Sequence, residues 1–111
     1  TEVLDRVFYC GARTLADKPA ACVVSCRRGG ASAAFDRLNK YFMMSNMPVV
    51  TSQYWNCVHG NTADEVRRDL EGLQTMRTLA RNMAWMLQSI EKAKLGAPRR
   101  EPWIATNFIR E

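Results

Sequence analysis

The segment Val23 to Asp36, VVSCRRGGASAAFD, has the makings of a ligand-holding turn. A β-branched apolar run ends at Ser25, then Cys26, Arg27, Arg28, Gly29 and Gly30 follow at once, and a helical pattern begins after them. Glycines let a backbone approach a ligand closely, the first amides of a helix offer free N–H groups to an anionic or carbonyl oxygen, and the arginines add charge. A second segment, Tyr54 to Gly60, carries Tyr54, Trp55, Asn56 and His59, flat and polar side chains suited to a planar heteroaromatic ligand. Plainer roles stand beside these. Gly-Gly after a strand also makes a tight turn, surface arginines are solvated, and Trp55 suits a core or an interface. His59 is the lone histidine, with no acid or nucleophile beside it in sequence, and also suits capping of a backbone carbonyl.

Metal chemistry has little support. The four cysteines, at 10, 22, 26 and 57, form no C-x-x-C pair, so zinc-ligand spacing is absent and reduced thiols of a cytoplasmic protein are expected. Met76, Met83 and Met86 recur at helical spacing and read as packing.

These two segments need elements to position them. Val3, Leu4, Val7 and Phe8 place one apolar stripe on a short helix, which the stretch from Cys10 to Pro19 is expected to break. PAACVVS (19–25) reads as a strand covered on both faces. Ala34, Phe35, Leu38 and Phe42 share one face of a helix over 32–45, with Ser32 as its cap. MPVVTSQY (47–54) reads as a second strand centred on Val49 and Val50, followed by the loop WNCVHGN. Thr62-x-x-Glu65 is a capping box, and Val66, Leu70, Leu73, Met76, Leu79, Met83, Met86 and Ile90 predict one long helix ended by Gly96 and Pro98. The tail over 97–111, with Trp103, Ile104, Phe108 and Ile109 among its charges, is expected to dock on the domain or on a partner.

Alternating helices and strands are the pattern of a parallel α/β sheet. Two short strands bury too little to stand alone, so the order predicts that another chain, or a missing half of the same domain, covers their edges. A length of 111 residues and 47% hydrophobic content fit one small globular unit at most. The formal charge of +5 is spread along the chain and suits an anionic ligand, with no recognised nucleic-acid motif. Without a spanning apolar run or a signal-peptide layout, a soluble cytoplasmic protein without a membrane partner is expected. The chain begins at Thr1 without a methionine, as a processed, trimmed or partial chain does.

VVSCRRGGASAAFDRLNKYF, MPVVTSQYWNCVHG and EGLQTMRTLARNMAWML resemble, in order and spacing, the second half of flavodoxin-fold NAD(P)H-dependent FMN reductases, a group that includes the iron-sulfur flavoproteins. The distinctive set is Arg27-Arg28-Gly29-Gly30, Ser52-Gln53-Tyr54-Trp55-Asn56 and Val58-His59-Gly60. LDRVFY looks like the helix after the third strand of that fold, and WIATNFIR like its usual end. The resemblance implies an α/β, three-layer flavodoxin-like fold with a parallel sheet, present as its C-terminal βαβα half. It implies that Ser25, Cys26, Arg27, Arg28, Gly29 and Gly30 contact FMN, and that Tyr54, Trp55, Asn56 and His59 lie near the ring or the face where nicotinamide or substrate stacks. It further implies hydride transfer from NAD(P)H to the flavin, then delivery to a quinone, free flavin, metal or other acceptor, in a homo-oligomer, dimer or tetramer. The family's phosphate-binding loop and its loop after the third strand have no counterpart in this sequence, and an iron-sulfur cysteine cluster would lie upstream. The chain alone is therefore expected to be inactive. The competing expectation is a non-enzymatic fragment or interaction module whose sheet another chain completes.

Overall fold

Glu2 and Asp5 near its start and Arg13 near its end match the dipole of helix α1 (Glu2–Leu15), visible in the computed structural model, which describes residues 1–109. The helix runs past Cys10, where a break was expected. Gly11 weakens a helix interior by about 1 kcal/mol without ending it, and the stop comes at Asp17, with φ 66°, ahead of Pro19. Of the predicted stripe only Phe8 is buried; Val3 and Val7 are exposed. Phe8 stacks on Tyr41 at 5.1 Å between ring centres and meets Phe42 edge-on at 6.0 Å, while the Tyr41 hydroxyl donates to Asp5.

The sheet has two strands, β1 (Val24–Cys26) and β2 (Cys57–His59), joined by helix α2 (Ala31–Met44) and paired in parallel, so the chain is a mixed α/β structure. Both strands differ from their expected bounds. An isolated parallel bridge joins Ala20 to Val49, and regular pairing resumes only at Val24 with Cys57. Between these points the separation of partners rises from 29 to 33 residues, so four extra residues leave the second strand as an excursion around Thr51 to Trp55. The residues expected at the end of strand 47–54 occupy that excursion, and the segment read as a loop supplies β2.

Helix α2 starts one residue earlier than its predicted cap. Gly30, at φ 84°, occupies the N-cap in a left-handed conformation open to glycine at little cost, and no side chain caps the helix. Ala31 and Tyr41 are buried, Phe35, Leu38 and Phe42 half-buried, and Ala34 exposed. The helix ends at Ser45, followed by Asn46 with φ 55°.

The long C-terminal helix is broken in two, α3 (Ala63–Arg68) and α4 (Leu70–Ala93), at Asp69. The Thr62 cap forms at α3, with the Glu65 amide donating to Thr62 Oγ1 at 3.3 Å, while the Glu65 carboxylate accepts from the amide of Asn61, one residue ahead of the cap, at 2.5 Å. Asp69 then caps α4 by accepting from the Gly72 amide at 2.9 Å. Asp side chains compete with the backbone for such donors and so favour helix starts over helix interiors. Leu70, outside the regular stripe once the helix restarts, is exposed, while Gly72, Thr75 and Leu79 are buried.

The core is small: among the described residues Phe8, Cys22, Ala31, Tyr41, Val50 and Leu79 are the buried apolar ones. The chain exposes 9245 Å², where a compact chain of 12.6 kDa would expose about 6,200 Å². Its radius of gyration is 17.3 Å, against about 13 Å for a compact chain of this length. Within the described residues the tail pairs Arg100 with Asp17 at 2.7 Å and leaves Trp103, Ile104, Phe108 and Ile109 exposed; Arg110 and Glu111 lie outside the described residues. Among the described residues no helix is long and apolar enough to cross a membrane.

Gly60 closes β2 against α3, donating its amide to the Cys26 carbonyl at 3.0 Å. A Cβ there would lie 2.6 Å from the Val66 amide nitrogen, which is backbone and yields little. Gly60→Ala is therefore expected to lower unfolding stability by about 1–3 kcal/mol, measured by urea titration; an unchanged midpoint would show that α3 is free to shift.

Candidate functional site

The helices that follow β1 and β2 both begin at the carboxyl end of the sheet, where ligands of open parallel sheets bind. A cavity of about 240 Å³ lies there, lined by Ala31 and Ser32 from α2, by Tyr54 and Trp55 from the excursion, by Cys57 and His59 from β2, and by Asp69, Glu71, Gly72 and Thr75. Three of the four predicted aromatic-loop residues therefore come together. Tyr54 and Trp55 stand half open to solvent with ring centres 5.1 Å apart and planes tilted by 34°. The fourth, Asn56, is turned inward and buried.

The role of Asn56 follows from the register jump. Its Nδ2 donates to the Cys22 carbonyl at 3.1 Å, and its Oδ1 accepts from Ser52 Oγ at 2.5 Å. Cys22 lies on the part of the chain opposite the excursion, where the ladder has no partner strand to offer; the Asn56 amide takes that place. A buried carbonyl left without a donor would cost about 1–3 kcal/mol.

The excursion is also tied to α4. Gln53 Nε2 donates to Gln74 Oε1 at 3.0 Å, Thr78 Oγ1 donates to Gln53 Oε1 at 2.8 Å, and Asn82 Nδ2 donates to the Thr51 carbonyl at 2.8 Å. Gln74, Thr78 and Asn82 are spaced by four, on one face of the helix. Sequence reading singled out the apolar stripe of this helix and passed over its polar one, although the spacing is the same kind of signal.

The predicted turn residues run from the end of β1 to the N-cap of α2. Cys26 is half-buried at the end of β1, and Ser25, Arg27, Arg28, Gly29 and Gly30 are exposed. None of the six lines the cavity; the first residues of α2, which they deliver, do. No side chain caps α2, whose first residues Ala31 and Ser32 line the cavity, so its first N–H groups are without a side-chain partner at that end.

Asp69 is the residue that sequence reading missed. Beyond capping α4 it accepts from the His59 amide at 2.8 Å, and His59 Nδ1 lies 3.7 Å from the same carboxylate oxygen. The Gly72 amide above all, and then the His59 amide, hold the Asp69 carboxyl below the usual range. An Asp three residues before Gly72, with Glu71 in the first turn after it, is a readable helix start inside the apolar run. Burial raises the Cys22 and Cys57 thiols above their ordinary values, so both stay protonated and unreactive near neutrality. Among the described residues no group of three His, Cys, Asp or Glu side chains is placed to hold a metal ion.

Because the folded carboxyl of Asp69 is depressed, its contribution to stability is fully present above the unfolded value near pH 4 and is lost as pH falls through the folded value. Asp69→Asn is therefore expected to destabilise the chain at pH 7, and the gap to the unaltered chain should narrow below about pH 4. Thermal unfolding at pH 7, 5 and 3 measures it; a gap constant across that range would assign the loss to shape rather than charge. No protein-family model, no curated protein and no solved structure matches this chain.

Proposed function

We propose that the chain is the C-terminal βαβα part of a flavodoxin-like, FMN-dependent NAD(P)H oxidoreductase and contributes the face that meets the edge of the flavin ring. The observation that carries this reading is the convergence, at the carboxyl end of a parallel pair, of uncapped amides from α2 with the Tyr54–Trp55 aromatic pair. These residues suit the ring. Amides of α2 match ring carbonyl oxygens, the carboxylates of Asp69 and Glu71 match ring N–H donors, and the aromatic pair offers a flat apolar wall. Arg27 and Arg28, exposed in the turn ahead of α2, would favour negative charge on the ring.

The cavity's 240 Å³ is below the roughly 300–1,000 Å³ of complete small-molecule sites. That size agrees with a site shared with a phosphate-binding segment. When bound, FMN would take hydride from NAD(P)H and pass electrons to a quinone, flavin, metal or other acceptor. This chain's residues would orient the ring and exclude water from one side of it. Such a division of labour asks no acid or base of them.

A second reading, an interaction module whose sheet is completed by another chain, is favoured by the exposed surface, about half again what a compact chain would show. The two readings differ in what they ask of Trp55. Under the first, the full chain quenches the fluorescence of lumiflavin and of FMN with similar weak affinity, because only the ring is gripped. Stacked bases lose about 1–3 kcal/mol when their aromatic partner is cut to alanine, so Trp55→Ala is expected to weaken both by roughly fivefold to a hundredfold. Absence of saturable quenching, or a strong preference for FMN over lumiflavin, counts against ring-edge recognition.

A further inference from the structure

A second and larger cavity, about 1000 Å³, lies at the opposite end of the two long helices from the candidate site. It is an apolar groove between the C-terminal ends of α2 and α4, with Met43, Met47, Pro48, Ile90 and Leu95 in its walls and Asp17 on its rim. Nothing of the flavin reading involves it.

The chain also carries an apolar segment without a seat. Trp103, Ile104, Phe108 and Ile109 are 90%, 87%, 94% and 92% exposed. The tail leaves the groove at Ala97 and Pro98, and Arg100 is fixed to the rim through Asp17 at 2.7 Å. Pro102, two residues on, biases Glu101 toward extended backbone, and Trp103 and Ile104 beyond it stand exposed, outside the groove lining. A tail pinned at the rim and directed away does not fold back into the groove beside it.

We propose that the groove seats the 103–109 segment of a second copy of this chain, in a reciprocal exchange of tails. Each copy presents both halves of the contact, so one two-fold operation satisfies both and closes the assembly. Area supports that occupant. An aromatic side chain buries about 150–250 Å², so the Trp and Phe of two tails, with matching groove walls, remove about 1,200–2,000 Å² from water, the size of a specific interface. The +5 charge of each copy opposes association only weakly at ordinary salt.

The test is sedimentation of the full chain over a micromolar concentration series, with Trp103→Ala and Ile90→Asp as separate variants. Trp103 is exposed and Ile90 about half exposed, so folding is expected to survive, as circular dichroism checks; Leu95→Asp, on the same wall, serves if Ile90→Asp unfolds. A reversible dimer is expected, with dissociation strengthened at least about tenfold by each substitution. A chain that stays monomeric throughout, or a dimer that neither substitution weakens, overturns the proposal. So does a monomer in which Trp103 emission, taken as the difference from Trp103→Phe, is blue-shifted at every concentration, since the tail then occupies its own groove.

Discussion

Surplus residues can leave a parallel strand pair only if the backbone groups left opposite them find other partners. In this chain the Asn56 amide meets the Cys22 carbonyl, and that substitution lets four extra residues depart between two correctly paired stretches. Everything at the candidate site depends on it. Without the excursion, Tyr54 and Trp55 would be ordinary sheet residues with side chains alternating between faces. With it, they stand together at the cavity, while β2 resumes the ladder and delivers His59 to Asp69.

The parts of this architecture that were legible in the sequence share a cause: they are set by local spacing. The Thr62 cap on the Glu65 amide, the apolar stripe position Leu79, and the parallel order of strand, helix and strand are all short-range patterns. The parts that were not legible depend on partners far away in sequence. Val49 and Val50 have the composition of a strand centre, yet Val50 is buried as core while the ladder belongs to Cys57, Val58 and His59. Asn56 has the chemistry of a ligand-binding side chain, and its partner, 34 residues earlier, is a carbonyl whose need arises only from the register jump. Asp69 sits in an uninterrupted apolar repeat, and its pull on the His59 amide, ten residues back, accompanies the break in the helix.

The distribution of buried and open surface separates the molecule into two regimes. Around the sheet, β1, β2, α2 and α4 lean on one another, with Ala31 and Tyr41 of α2 and Thr75 and Leu79 of α4 buried and Cys22, Val50 and Asn56 buried in the connecting segments. Beyond it, α1 rests on α2 chiefly through Phe8, and the last turns of α4 reach past the sheet with Trp85, Leu87 and Ile90 open. Apolar burial is worth about 25 cal/mol for each Å², so a surplus of exposed area on this scale leaves helix faces whose stability is unspent within a single copy. The site thus sits against the elements that pack on the sheet, with its aromatic wall open, and the surfaces available for contact with other chains lie beyond them.

The spacing of Gln74, Thr78 and Asn82 has a consequence for how the site can vary. All three hold the excursion from one helix face, so the rotational setting of α4 about its axis and the height of the aromatic pair above the sheet form a single degree of freedom. A residue inserted in or deleted from α4 before Gln74 would turn that face by about 100° and release all three bonds together. Exchanging the aromatic side chains leaves the three bonds untouched. Lineages of such a chain are therefore free to change what the cavity wall recognises, one side chain at a time, while the length of the helix beneath it stays fixed.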